Sequence, residues 1–149
     1  MAERPRNIIR VKVMCLFEYD DKVLVGRGYE RATGEQFWRV LGGSLNFGET
    51  TEEGVRREMR EELKCEIENL RQLDVLENRY TYEGRQGHEI VFLYQGALAN
   101  KNLYTQDSVH ITENTYEFYA DWIGIGELLD GTKKLYPACG YTKYLRTGI

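Results

Sequence analysis

Apolar and polar positions alternate loosely through IIRVKVMCLF, residues Ile8 to Phe17, and branched side chains dominate it, so a strand is expected there. A polar turn, Tyr19 to Lys22, then returns the chain as VLVGRG (Val23 to Gly28), which makes the pair a hairpin. Tyr29 to Gln36 is polar and reads as a loop. Phe37 to Leu41 (FWRVL) is a short apolar strand running into Gly42 and Gly43. The period then changes. Val55, Met59 and Leu63 recur every four residues, the stripe of an amphipathic helix. Thr50 with Glu53 three residues on predicts a capping box at its start, and Glu52 and Glu53 suit the positive end of the helix dipole.

Beyond Cys65 the pattern predicts strands up to Ala99 around a turn spanning Tyr82 to Glu89, with Ile90 to Gln95 (IVFLYQ) as the most apolar of them. Asn100 to Thr115 reads as polar and irregular. Glu117 to Ile123 reads as a strand, Glu127 to Leu129 as a short helix, and the segment after Pro137 as a closing helix. No repeat, linker or low-complexity tract interrupts the 149 residues, so a single domain over 1–149 is expected.

Composition narrows the function. A net charge of -4 gives no electrostatic reason to bind nucleic acid or an anionic membrane, and would repel a polyphosphate. A phosphate site here therefore needs local cations. The cysteines, Cys15, Cys65 and Cys139, match no metal-ligand spacing and read as reduced thiols of a cytoplasmic protein. No run approaches the ~18 apolar residues of a membrane span, and the start lacks the apolar core of a secretion signal.

The helix holds an unusual crowd. Glu58, Glu61 and Glu62 stand at i, i+3 and i+4, so their carboxylates share one face. Adjacent anions raise one another's proton affinity or recruit a cation, and all-oxygen ligands suit Mg²⁺ or Mn²⁺ better than zinc. Oppositely charged i, i+4 pairs (Glu52 with Arg56, Glu53 with Arg57, Arg57 with Glu61) offer the bland alternative of a salt-bridged surface helix. The residues ahead of the helix weigh against that alternative. Gly42, Gly43 and Gly48 let the backbone turn and approach a ligand, and the helix start favours a phosphate.

Together these residues resemble the signature of the Nudix hydrolase family, of the MutT-like kind. Its run of Gly, Glu, Arg-Glu, aliphatic, Glu-Glu and aliphatic is matched by Gly43, Glu49, Arg57, Glu58, Met59, Glu61, Glu62 and Cys65. Lys64 departs from it, standing where the family has a glycine, so either a strained left-handed lysine or a different helix end is expected. Leu41 replaces a common proline and Asn46 a frequent glutamate. The resemblance implies an α+β chain of the Nudix fold, a mixed β-sheet sandwiched between helices. It implies a hydrolase dependent on Mg²⁺ or Mn²⁺ that cuts the pyrophosphate linkage of a nucleoside diphosphate derivative. The ligands would be Glu58, Glu61, Glu62 and the carbonyl of Gly42. Glu62, Glu61 and Arg57 would be catalytic, with Glu62 the first choice of base and Glu113 and Glu117 outside candidates. Gly43, Glu49, Arg39 and Tyr82 would contact substrate, and Arg27 is a further candidate for phosphate. His88 and His110 receive no role. A dinucleoside polyphosphate hydrolase and a non-catalytic nucleotide-binding protein remain alternatives, and a homodimer is compatible with the resemblance.

Overall fold

The alternation near the start produces β1 (Arg10–Leu16), whose Val13 and Cys15 point to one face and Met14 and Leu16 to the other, all buried. The structure, a computed structural model, describes residues 7–113, 116–136 and 140–145. A short β2 (Glu18–Tyr19) turns at Asp20 and Asp21, both at positive φ, into β3 (Lys22–Tyr29). There follow β4 (Gln36–Ser44), α1 (Thr51–Leu63), β5 (Ile67–Tyr82), β6 (Arg85–Leu98), β7 (Ser108–Glu113), β8 (Tyr116–Gly124), α2 (Ile125–Leu129) and β9 (Leu135–Tyr136). Single 3₁₀ turns occupy Lys101–Thr105 and Tyr141–Tyr144.

The strands form one mixed sheet in the order β5-β6-β1-β4-β3-β8-β7, with β2 beside β3 and β9 beside β4. β1 runs parallel to β6 and β9 parallel to β4, and the other pairs are antiparallel. One apolar layer packs under α1 through Val55, Met59 and Leu63, which meet Val13, Cys15, Leu41 and Ile111. The opposite layer joins Val25, Trp38, Leu93 and Ile123 to Ile125 and Leu128 of α2 and to Tyr141. Both faces are thus covered, as the α/β/α expectation requires. Among the described residues no helix is long and apolar enough to cross a membrane.

Four expectations change. The hairpin expected between Ile8–Phe17 and Val23–Gly28 does not form as such: β1 pairs with β4 and β6, and only the short β2 turns back on β3. β4 does not stop at Leu41 but continues through Gly42 and Gly43 to Ser44. Its first half pairs with β3, Gln36 to Val40 against Tyr29 to Val25, and its second half pairs with β1, Leu41 to Ser44 against Cys15 to Lys12. The turn expected over Tyr82 to Glu89 shrinks to Glu83 and Gly84, at φ 50° and 77°. Two such residues suffice to reverse a hairpin, so the polar residues beyond them are free to join strands. Within Asn100–Thr115, Ser108–Glu113 is a strand whose Val109 and Ile111 face the core, a pattern carried by only two apolar side chains. Of the closing helix expected after Pro137, the described part is the 3₁₀ turn, and Pro137 and Cys139 lie outside the described residues.

Candidate active site at the acidic face of α1

α1 begins as its sequence predicts. The Thr50 side chain accepts from the Glu53 amide at 3.1 Å, and the Glu53 carboxylate accepts from the Thr50 amide at 2.9 Å. It ends on Lys64 at φ 54°, ψ 41°, with the Lys64 amide bonded to the Arg60 carbonyl and its Nζ donating to the Glu61 carbonyl at 2.6 Å. Lysine therefore takes the left-handed position the glycine would have filled. Relief of that strain by Lys64→Gly is expected to stabilise the protein by about 1 kcal/mol, or about 2–4 °C in thermal midpoint. An unchanged or lower midpoint in a thermal melt would mean that the Nζ bond outweighs the strain.

α1 packs against β1, β4 and β7, and its acidic face meets β4 at the two glycines. A Cβ on Gly43 would stand 2.5 Å from the carboxylate of Glu58, so only glycine leaves that carboxylate room. At Gly42, φ is 153° and a Cβ would collide with the Val13 carbonyl across the pair. The glycines expected to make a turn serve instead as strand residues that permit close approach.

Arg57 organises the cluster. Its Nε and Nη2 grip both oxygens of Glu49 at 2.7 and 2.9 Å, Nη1 reaches Glu58 at 3.0 Å and Glu61 at 3.3 Å, and Nη2 also donates to the Ser44 carbonyl. Such charge-assisted, forked bonds fix geometry as well as charge. Glu49 Oε1 also accepts from the Asn46 amide at 2.8 Å, so both of its oxygens are engaged. Arg57 and the Asn46 amide hold its carboxyl below the usual range. The expected substrate contact at Glu49 is thus occupied by the anchoring of Arg57.

One arginine does not neutralise the rest of the acidic face. One oxygen each from Glu58, Glu61 and Glu113 fall within 4.8 Å of one another. Glu62 is 6% exposed, and its Oε1 is buried with no hydrogen-bond partner among the described residues. Burial first, then the charges of Glu58 and Glu113, push its carboxyl up to about 8, against the opposing pull of Arg39. Burial likewise raises Glu58, although Arg57 opposes it. Without a cation this face cannot carry its full negative charge at neutral pH.

Arg39 comes to the cluster's edge from β4. Its guanidinium stands 5.3 Å from the Phe118 ring centroid and 5.9 Å from that of Tyr116, and it donates to the Tyr116 hydroxyl. Three other residues go elsewhere. Tyr82 pairs with Arg85 at the hairpin tip, whereas Gly43 lies level with Val13 and, beyond it, Phe92. The step along β6 from Phe92 to Arg85 is about 23 Å at ~3.3 Å per residue, so Tyr82 does not reach the acids of its own chain. Arg27 points to the opposite face and binds Asp121 at 2.7 and 2.6 Å. Glu117 pairs with His110 at 3.2 Å. Phe118 and Tyr116 carried no functional signal in the sequence, because only the β8–β3–β4 pairing sets them beside Arg39.

Comparison with known proteins bears on the family and the fold. A family model described as the NUDIX domain matches residues 8–138. A MutT NUDIX hydrolase from Burkholderia pseudomallei superposes with a TM-score of 0.68 at 19% identity, over 95% of this chain and 100% of that one. A NUDIX hydrolase from Nitrosomonas europaea gives 0.60 at 19% identity, over 88% and 82%. A structure described as an ADP compounds hydrolase gives 0.53 at 20% identity, over 85% and 64%. At these identities the superpositions speak for the fold, and the family model for descent: the chain belongs to the NUDIX family of hydrolases.

Proposed function

We propose that this chain hydrolyses the pyrophosphate linkage of a nucleoside diphosphate derivative, in the cytoplasm and as a single domain, at the acidic face of α1. The observation that carries the reading is the convergence of Glu58, Glu61 and Glu113 within 4.8 Å beside the unpartnered oxygen of Glu62. These groups fit a hard divalent cation: the donors are all carboxylate oxygens, and one is buried without any other partner. Glu58, Glu61, Glu62 and the Gly42 carbonyl would hold Mg²⁺ or Mn²⁺, with Glu113 as a fifth donor. A bound cation supplies charge for the bridging phosphates and lowers the pKa of water.

The chain's own groups do the rest. Arg57, locked by Glu49, keeps Glu58 and Glu61 aimed at one point, which removes the entropy of arranging them during reaction. Glu62 accepts the proton of the attacking water, and Glu113 is the second candidate for that role, since it enters the same cluster from another element. Arg39 offers a cation at the cluster's edge, and the Tyr116 and Phe118 rings, 5.4 Å apart, offer faces on which a nucleobase can stack.

The test is a panel of nucleoside diphosphate derivatives and dinucleoside polyphosphates incubated with Mg²⁺ or Mn²⁺ in ¹⁸O-water, with products read by mass spectrometry. The expected result is label in one phosphate product of a nucleoside diphosphate derivative. Label only from dinucleoside polyphosphates would favour that narrower substrate class. Binding without turnover of any compound would make the chain a nucleotide-binding protein.

A further inference from the structure

β5 ends the sheet, and among the described residues nothing pairs with its outer edge. Natural edge strands are guarded against joining another chain by bulges, prolines, lysines or short length. The first part of β5 is guarded in this way. Its register slips between Glu68 and Arg71 and again between Gln72 and Asp74, and Asn69 sits at φ 53°. From Asp74 to Tyr82 the bulges cease, and the protection left is the charge of Glu77 and Arg79 and the contact of Asp74 with Lys143 and Tyr144. That segment, DVLENRYTY, keeps unbroken register with β6 and holds no proline, glycine or lysine. It leaves Val75 44%, Tyr80 36% and Tyr82 41% exposed. Glu77 and Arg79 are exposed too, and neither has an ion-pair partner among the described residues.

We propose that this half of β5 pairs with the same half of β5 in a second copy of the chain, antiparallel about a two-fold axis at Asn78. Charge selects both occupant and register. With the axis at Asn78, Glu77 of each copy lies directly opposite Arg79 of the other, so one favourable contact occurs twice. Val75 then faces Thr81, and Leu76 faces Tyr80, so apolar and β-branched side chains also meet. An axis at Glu77 would set that carboxylate against its own copy, and an axis at Arg79 would do the same to the guanidinium. The segment is therefore self-complementary in one register and self-repelling in both of its same-face neighbours.

The test is sedimentation equilibrium of the full chain, with thermal melts to confirm folding of each variant. Wild-type protein is expected to dimerise. Glu77→Arg alone, or Arg79→Glu alone, is expected to weaken the dimer at least tenfold, because each creates two like-charge contacts. The double variant E77R/R79E is expected to restore wild-type association. A wild-type monomer at every concentration, a dimer indifferent to either single reversal, or a double variant no better than the singles would each overturn the proposal.

Discussion

Glu62→Gln is expected to lower turnover by roughly 10³-fold, the scale of a lost general base, and yet to make the cation-free protein more stable at pH 8. The two effects share one cause. In the folded chain the Glu62 carboxyl is pushed up to about 8 from 4.5 by burial and by its acidic neighbours. Between those two values the folded state holds a proton that the unfolded state has released. Stability of the cation-free protein therefore falls as pH rises through that window, by an amount on the order of a few kcal/mol. Glutamine cannot ionise, so the variant lacks this slope. Denaturant titrations of both proteins in chelator, from pH 5 to pH 8.5, measure the difference. Parallel profiles would show that Glu62 is not held protonated, and full activity in the variant would remove it from the reaction.

The second large effect lies on the other face of the sheet. Asp121, 6% exposed, accepts from Arg27 Nε and Nη2, from Ser108 Oγ at 2.6 Å and from the Trp38 indole at 2.9 Å. Burial acts to raise its carboxyl, but the Arg27, Ser108 and Trp38 bonds outweigh it and hold the group below its usual value. Asp121→Ala should cost about 2–3 kcal/mol, since it removes the charge-assisted bonds of Arg27, whose side chain is 30% exposed, and leaves the indole N–H without an acceptor. In the wild type the same carboxylate contributes stability that is complete above its unfolded pKa of 3.8 and is lost as pH falls below it. Urea midpoints at pH 7 and pH 3 read both statements. A loss under 1 kcal/mol at pH 7 would show the network to be dispensable.

How much of this was legible in the sequence differs from element to element. α1 was largely so, because its cap, its stripe and most of its i, i+4 contacts are local, although Arg57 turns to Glu49 rather than to Glu53. Arg57 and Glu49 were legible for a similar reason: few residues separate them, and the motif sets their spacing. Glu113 was harder to place, because what brings it to Glu58 is the packing of β7 under α1, a contact between distant parts of the chain. The Asp121 network left no trace, since Arg27, Trp38, Ser108 and Asp121 come from separate strands and no local pattern marks them. β7 itself looks irregular in the sequence, as two apolar residues in SVHITE do not make a visible alternation. The glycines of β4 misled in a more instructive way. They suggest a bend in the chain, whereas what they provide is missing volume: Val13 and Glu58 fill the space where a Cβ would stand.

Because β4 changes partners after Val40, its two ends are fastened to different neighbours, and Gly43 lies just past the seam. Breathing on the β3 side leaves the β1 ladder intact, and fraying at the β1 side leaves the β3 ladder intact. The wall against which Glu58 rests therefore hangs on the β1 ladder alone, and parting β4 from β1 would free Gly43 while the β3 half stayed paired.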